Sequence, residues 1–271
     1  MRVSAVVVCF NEEENIERCL KSLTWTDEIV VVDSYSTDNT VSICKRYTDK
    51  IYQREWPGIN KQKEYAVSLT KNDWIFILDA DEVVSEELKE EILKRLSSDK
   101  GKYDGYMVKR HTYYLGRWIN HGGWYPDYKL RLFKKQKGYF VGKDPHDKIA
   151  VTGNVAKLNG EIYHFTYKNI AHHIRTINSF SDTVVNNPEM KKERFIIFKM
   201  LFKPPVKFLE TYIYKLGLLD GIPGLIISVL SSYYVFLKYA KLWEKRSVSS
   251  SIITTKPSIE QKQLHSRNFG P

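Results

Sequence analysis

Three short apolar runs constrain what the first hundred residues can become: VSAVVVCF (3–10), EIVVVD (28–33) and WIFILDAD (74–81). Each is continuous rather than alternating, as a strand buried on both faces of a parallel sheet must be. The segments between them carry helix signals. Asn11 is placed to cap a helix over about 11–22, with Ile16, Cys19, Leu20 and Leu23 on one face. Ser36, Thr37 and Asp38 are turn and cap residues ahead of a helix over about 39–47. Residues 50–54 form a candidate short third strand, and 60–69 a helix. Ser85 then caps SEELKEEILKRL. Four strand–helix units in a row predict a parallel sheet with helices on both faces. Ligands in such sheets gather at the carboxyl ends of the strands.

Those ends are where the polar residues lie. Asn11 and Glu12, Glu13 and Glu14 follow the first strand, Asp33 and Ser34 the second, and Asp79, Ala80, Asp81 and Glu82 the last. One strand-end carboxylate is commonly a cap or a solvated turn. Three clusters brought to one sheet edge predict a site. Asp79 and Asp81, one residue apart, have the spacing to hold a hard divalent cation, Mg²⁺ or Mn²⁺, completed by substrate phosphate oxygens. Capping the next helix is the alternative, and Ser85 is better suited to it.

Beyond residue 100 the pattern changes. YDGYMVKRHTYYLG, YKLRLFKK and GYFVG predict antiparallel strands with glycine-rich turns, and residues 166–190 a helix ending before Pro188. An apolar share of 42% supports a packed core, which excludes a disordered or fibrous chain. Cys9, Cys19 and Cys44 form neither a CxxC nor a Cys/His pattern, so no disulfide framework or structural zinc site is indicated. The first apolar run is too short, and too soon followed by acidic residues, for a signal peptide.

Charge is unevenly placed. Residues 1–100 carry 14 basic and 20 acidic side chains, residues 101–190 carry 14 and 7, and residues 191–271 carry 14 and 5. Such a basic end suits nucleic acid or an anionic membrane. Residues 195–243 mix Phe, Tyr, Leu and Ile with Lys, as an interfacial element does. The run 222–237 is short for a span and contains Pro223 and Gly224, so peripheral or monotopic attachment is expected, with ordinary helices packed on the domain as the alternative. From Ser247 the chain is polar and reads as a tail.

The motifs VVVCFNEEENIERCLKSL, EIVVVDSYSTDNT and NKQKEYAVSLTKNDWIFILDADE, in this order and spacing, resemble the family-2 inverting glycosyltransferases. The resemblance implies a GT-A fold, an α/β Rossmann-like nucleotide-sugar-binding domain with a mixed sheet, and an expected UDP-hexose donor. It implies further that Phe10 and Glu12 or Glu13 flank the base, Asp33 binds its edge, Lys63 lies near the diphosphate, Asp79 faces the ribose and Asp81 binds the metal.

Trp124-Tyr125-Pro126 with YKLRLFKK, PHDKI, IYHFTYKN and LLDGIPGLIISVLSSYYVFLKYAKLWE resemble a narrower branch, the bacterial lipopolysaccharide core β-1,4-glucosyltransferases. This implies a lipid-linked saccharide acceptor at the cytoplasmic face of the bacterial inner membrane. Asp147, where the branch usually has Glu, is then the general base, with Asp127 as runner-up; the bland reading of Asp147 is a loop carboxylate paired with Lys143 or Lys148. His164 is a second metal ligand or a core histidine, and His146 a candidate for orienting the acceptor. Arg131 is a diphosphate or acceptor-phosphate clamp, or an exposed strand residue.

The expected organisation is a catalytic domain over 1–190, split near residue 100 into nucleotide and acceptor halves, then membrane-associating helices over 191–246 and a tail over 247–271. Three other readings compete. A polyprenyl-phosphate sugar synthase normally has clearer spanning helices. A nucleic-acid-binding protein leaves the carboxylate-tipped strands unused, and a dead scaffold does not need Asp33, Asp79 and Asp81.

Overall fold

The computed structural model describes residues 1–98, 101–142 and 148–254. Its first half is four βα units: β1 (Val3–Cys9), α1 (Ile16–Lys21), β2 (Glu28–Asp33), α2 (Thr40–Cys44), β3 (Ile51–Gln53), α3 (Ile59–Ser68), β4 (Trp74–Asp79) and, after a short strand β5 (Glu82–Val84), α4 (Glu86–Ser98). Strands β1 to β4 pair in parallel in the order β3-β2-β1-β4. β1 and β2 are buried along their whole length, which is why their sequences do not alternate. Ile16, Cys19, Leu20 and Leu23 are all fully buried, as the helical spacing requires. Asn11 does not open that helix. Its φ of 54° is left-handed and its side-chain oxygen accepts from the Thr37 amide, so it serves the turn instead. Ser85 does cap α4, its hydroxyl accepting from the Leu88 amide at 3.1 Å.

The second half adds β6 (Gly105–Tyr114), β7 (Arg117–Ile119), β8 (Asp127–Lys134), β9 (Gly138–Val141), β10 (Lys148–Val151), β11 (Val155–His164) and α5 (Ile170–Asn186). β9 and β10 form a separate ribbon; the others extend the main sheet as β4-β8-β6-β11-β5, with β7 on β6. β8 is antiparallel to both neighbours, making the sheet mixed, as the GT-A reading expects.

One connection fixes the sheet's shape. Only Ala80 and Asp81 separate β4 from β5, yet four inter-strand steps lie between them in the sheet. Four steps cover ~19 Å when flat. Three peptide units reach ~11 Å at most. The sheet must therefore curl until the end of β11 stands beside the end of β4. The Phe165 amide donating to the Asp81 carbonyl at 2.9 Å closes that seam.

Two long helices end the described chain, α6 (Ile196–Leu209) and α7 (Gly221–Thr254), joined by an elbow over 210–220. Pro223 and Gly224 do not interrupt α7, because they fall in its first turn, where a missing amide donor costs little. α7 also runs past the boundary expected at residue 247. The stretch 217–247, the last turn of the elbow with most of α7, is long and apolar enough to cross a membrane by length and composition alone.

Gly160 on β11 lies against the first turn of α4, and a Cβ there would come within 2.4 Å of the Leu88 Cα. Gly160→Ala is therefore expected to lower stability by about 1–3 kcal/mol, read as an earlier midpoint in urea unfolding.

Candidate active site

The turns after β1 and β2 are laced together. The Asn11 amide donates to Ser36 Oγ (2.8 Å), the Glu12 amide to Thr40 Oγ1 (2.8 Å) and the Glu13 amide to Asp38 Oδ2 (3.1 Å). Glu13 in return accepts from Asn39. Asp33 is fully buried, and its carboxylate accepts from the Ser36 amide (2.9 Å), the Ser36 hydroxyl and Gln53 Nε2 (3.1 Å). Phe10 and Tyr35, at the same two tips, leave their rings more than half exposed. Burial raises the Glu12 carboxyl above its ordinary range; Asn15 opposes this and the charge of Asp81 adds to it.

At the end of β4 the charges alternate. Lys63 lies 2.9 Å from Asp79 Oδ1, and Arg131 lies 2.7 Å from Asp79 Oδ2 and 2.6 Å from Glu82 Oε1. Arg110 approaches the same Glu82 oxygen at 3.6 Å and binds Asp127 Oδ2 through Nη2 (2.7 Å) and Nε (3.0 Å). Lys129 meets the other Asp127 oxygen at 3.2 Å. Arg131 is thus no exposed strand residue; it is 4% exposed and sits among carboxylates. Burial alone pushes the Asp79 carboxyl up, but Arg131 and Lys63 outweigh it and hold Asp79 well below the usual range. The same contest, won by Arg110, lowers Asp127.

Asp81 and His164 meet across the seam, Oδ2 to Nε2 at 3.1 Å, while His164 Nδ1 contacts Thr112 Oγ1 at 3.3 Å. Among the described residues no three His, Cys, Asp or Glu side chains gather as a metal cage. Asp81 and His164 nonetheless fit one side of a Mg²⁺ or Mn²⁺ ion, a carboxylate oxygen and an imidazole nitrogen facing each other. Thr112 at the other ring nitrogen fixes the imidazole's orientation. His164 opens on a cleft of about 240 Å³, lined from the sheet also by Arg110, Thr112 and Asp127, and from loops by Gly123, Trp124, Thr166 and Tyr167; Asp81 reaches it through its contact with His164.

The expected residues are therefore brought to one curled edge, with Asp147 and His146 outside the described residues. Residues 4–156 match the family described as Glycosyl transferase family 2. The chain belongs to that family. It is a glycosyltransferase with the Rossmann-like GT-A fold. It is 29% identical over 271 residues to the lipopolysaccharide core biosynthesis glycosyltransferase LpsC of Rhizobium meliloti (strain 1021), covering 97% of this chain and 98% of LpsC. It is 28% identical over 265 residues to an uncharacterised glycosyltransferase of Rickettsia typhi, covering 94% and 91%. Among solved structures it is similar to S. aureus TarS 1-349, with 15% identity, 92% of each chain covered and a TM-score of 0.47.

Sequence reasoning gave no role to several residues of this glycosyltransferase site. Arg110 and Thr112 were legible only as one face of a long strand, since they stand two apart in β6. Glu82 was one of a cluster of acids, and its burial depends on the curl that pairs β5 with β11.

Behind the cleft wall, Tyr167 stacks on His173 with ring centroids 3.9 Å apart, and Tyr114 Oη lies 2.9 Å from His173 Nδ1. Trp124 packs against the same rings. Burial, aided by the charge of His172, lowers the His173 pKa to about 4. Below its unfolded value near 6.5 the unfolded chain takes up a proton that the folded one refuses. Stability is therefore expected to fall by about 3 kcal/mol as pH drops from 6.5 to 4. His173→Phe should flatten that part of a stability–pH curve measured by urea unfolding.

Proposed function

We propose that this glycosyltransferase moves a hexose from a UDP-sugar to a lipid-linked saccharide of the lipopolysaccharide inner-core type, with inversion at the anomeric carbon. The observation that carries the reading is the contact of Asp81, just beyond β4, with His164 at the end of β11, the histidine itself lining the cleft with Asp127 and Arg110. The nucleotide lies over the tips of β1, β2 and β4. Phe10 and the Glu12–Glu13 turn flank the base, and Asp33 approaches its edge. Asp79 faces the ribose, held by Lys63 and Arg131, which bring positive charge near the diphosphate. Asp81 and His164 would hold a divalent cation, which would supply charge neutralisation for the leaving diphosphate.

The acceptor occupies the cleft. Trp124 and Tyr167 offer ring surface to a sugar, and Arg110 and Asp127 offer a donor and an acceptor for its hydroxyls. Attack on the anomeric carbon from the face opposite the diphosphate requires a carboxylate to take the acceptor proton. Both Asp127 oxygens already meet cations, which weakens it as a base, so Asp147 is assigned that role. The lipopolysaccharide assignment draws on the similarity to LpsC along nearly the whole chain.

The test is a screen of UDP-, GDP- and dTDP-sugars with Mn²⁺ against inner-core glycolipid and polyprenyl phosphate. Transfer to the glycolipid, lost in EDTA, is expected; transfer to polyprenyl phosphate alone overturns the acceptor class. Asp81→Asn should cost at least about a hundredfold in rate. Asp147→Asn should cost about 10²–10⁴-fold with donor affinity retained. A dead Asp127→Asn beside an active Asp147→Asn reverses the assignment of the base.

The enzyme is placed on the cytoplasmic face of the bacterial inner membrane, held peripherally or monotopically by residues 195–243. Phe198, Leu201, Phe202, Val206 and Leu209 leave much of their surface exposed along α6, interleaved with Lys199, Lys203 and Lys207. Apolar burial at the acyl boundary and about 1 kcal/mol for each lysine near anionic lipid act together. Flotation with anionic liposomes should exceed that with neutral ones, and salt should release only part of the protein. Failure to float with either rules the attachment out.

A further inference from the structure

Asp220 has no part in the chemistry above, yet it is a fully buried carboxylate with every partner on one distant strand and loop. It closes the elbow just before α7. Its Oδ2 accepts from the His121 amide at 2.8 Å, and its Oδ1 accepts from the Asn120 amide at 3.2 Å and lies 3.2 Å from His121 Nδ1. Arg117 on β7 donates to the Asp220 carbonyl at 2.9 Å, and its other terminal nitrogen stands 3.8 Å from Oδ1.

The contact continues beyond the carboxylate. The Gly122 amide donates to the Lys215 carbonyl at 2.8 Å. Gly122 and Gly123 are both left-handed, with φ of 67° and 80°, and a Cβ on Gly123 would come within 2.9 Å of the Lys215 side chain. Gly123 and Trp124, next along the loop, line the acceptor cleft. Ile226 and Ile227 of α7 join the cluster containing Tyr114, Trp124 and Tyr167 from below. On the elbow and the first turn of α7, Leu219 and Ile222 are 53% and 73% exposed.

We propose that Asp220 is a positioning residue for transfer: it pins the loop 120–124 to the elbow, so that the membrane-facing apolar surface and the Trp124 wall of the acceptor cleft move as one piece. The proposal rests on the reading of that cleft as the acceptor site. A buried carboxylate is costly unless its oxygens are satisfied, and here two backbone amides and an imidazole do so. Loops are mobile by default, whereas transfer needs the acceptor hydroxyl held in line with the donor. The donor site, built on the tips of β1, β2 and β4, shares no residue with the pin.

The experiment compares full-length wild type and Asp220→Asn by amide hydrogen exchange and by kinetics with the donor–acceptor pair that wild type uses in the screen. Exchange in the peptide spanning 120–124 should rise about tenfold while that at the β1 and β2 tips stays unchanged. The acceptor KM should rise about ten- to a hundredfold, or kcat should fall by that factor. Donor KM and UDP affinity should stay within about twofold of wild type. Unchanged exchange in 120–124, or equal losses for donor and acceptor, overturns the proposal. If Asp220→Asn does not fold, Arg117→Gln, which loosens the same carboxylate from outside, should show the same split at smaller size; no split there overturns it too. A wild type that transfers nothing fails the acceptor reading itself, whereas a transferring wild type with an indistinguishable folded variant fails only the pin.

Discussion

The site depends on one chain of alternating charge, buried at Lys63, Arg131 and Glu82 and half-buried at Asp79, Arg110 and Asp127. From Lys63 through Asp79, Arg131, Glu82 and Arg110 to Asp127, each group stands beside one or two of opposite sign. It runs from α3, under the tip of β4, to the far side of the cleft. At its buried centre, Arg131 and Glu82, the loss of one member leaves the other charged and unmatched, at a cost of several kcal/mol. Glu82 is central because it serves two arginines, each tied to a different aspartate. Asp79 at the tip of β4 and Asp127 in the cleft are thus placed by one electrostatic framework rather than two.

The C-terminal helices serve the catalytic domain as well as any lipid surface. Lys241 on α7 donates to Asn178 and Asp182 of α5, and Lys203 on α6 donates to Tyr239 of α7. Ser232 donates to the Pro204 carbonyl within the proline-containing stretch of α6. These bonds bind three helices into a platform whose elbow touches the cleft wall. Several lysines of the basic last third are thus spent inside the fold, Lys203 on Tyr239 and Lys241 on Asp182.

Much of the nucleotide half was legible in the sequence because its strands are buried on both sides and its loops are short. Continuous apolar runs ending in Asp33 and Asp79 leave few arrangements open. The acceptor half was less legible. Its strands were recognisable, but nothing local in YMVKRHTYY says that β6 will run beside both β8 and β11, so the partners of Arg110 and Thr112 were hidden. The place of His164 at a strand end marks it as a ligand candidate in the sequence; its contact with Asp81 depends on the curl. Asn11 misled because an asparagine ahead of an apolar helix pattern has two uses, cap and left-handed turn, and the second-strand turn it binds lies 25 residues away in sequence. The length of α7 was underestimated for a related reason, since Pro223 and Gly224 break a helix only in its interior.

The two-residue link from β4 to β5 also bears on how substrates come and go. Many two-lobed enzymes admit ligands by swinging their halves apart about a hinge. Here the chain that carries Asp81 is itself the clasp between the first strands and the last, and it is hydrogen-bonded to Phe165 on the other side. Parting the halves would have to unravel β5 from β11. The fold therefore disfavours opening by a hinge between its two halves and leaves the rim loops as the parts freest to move.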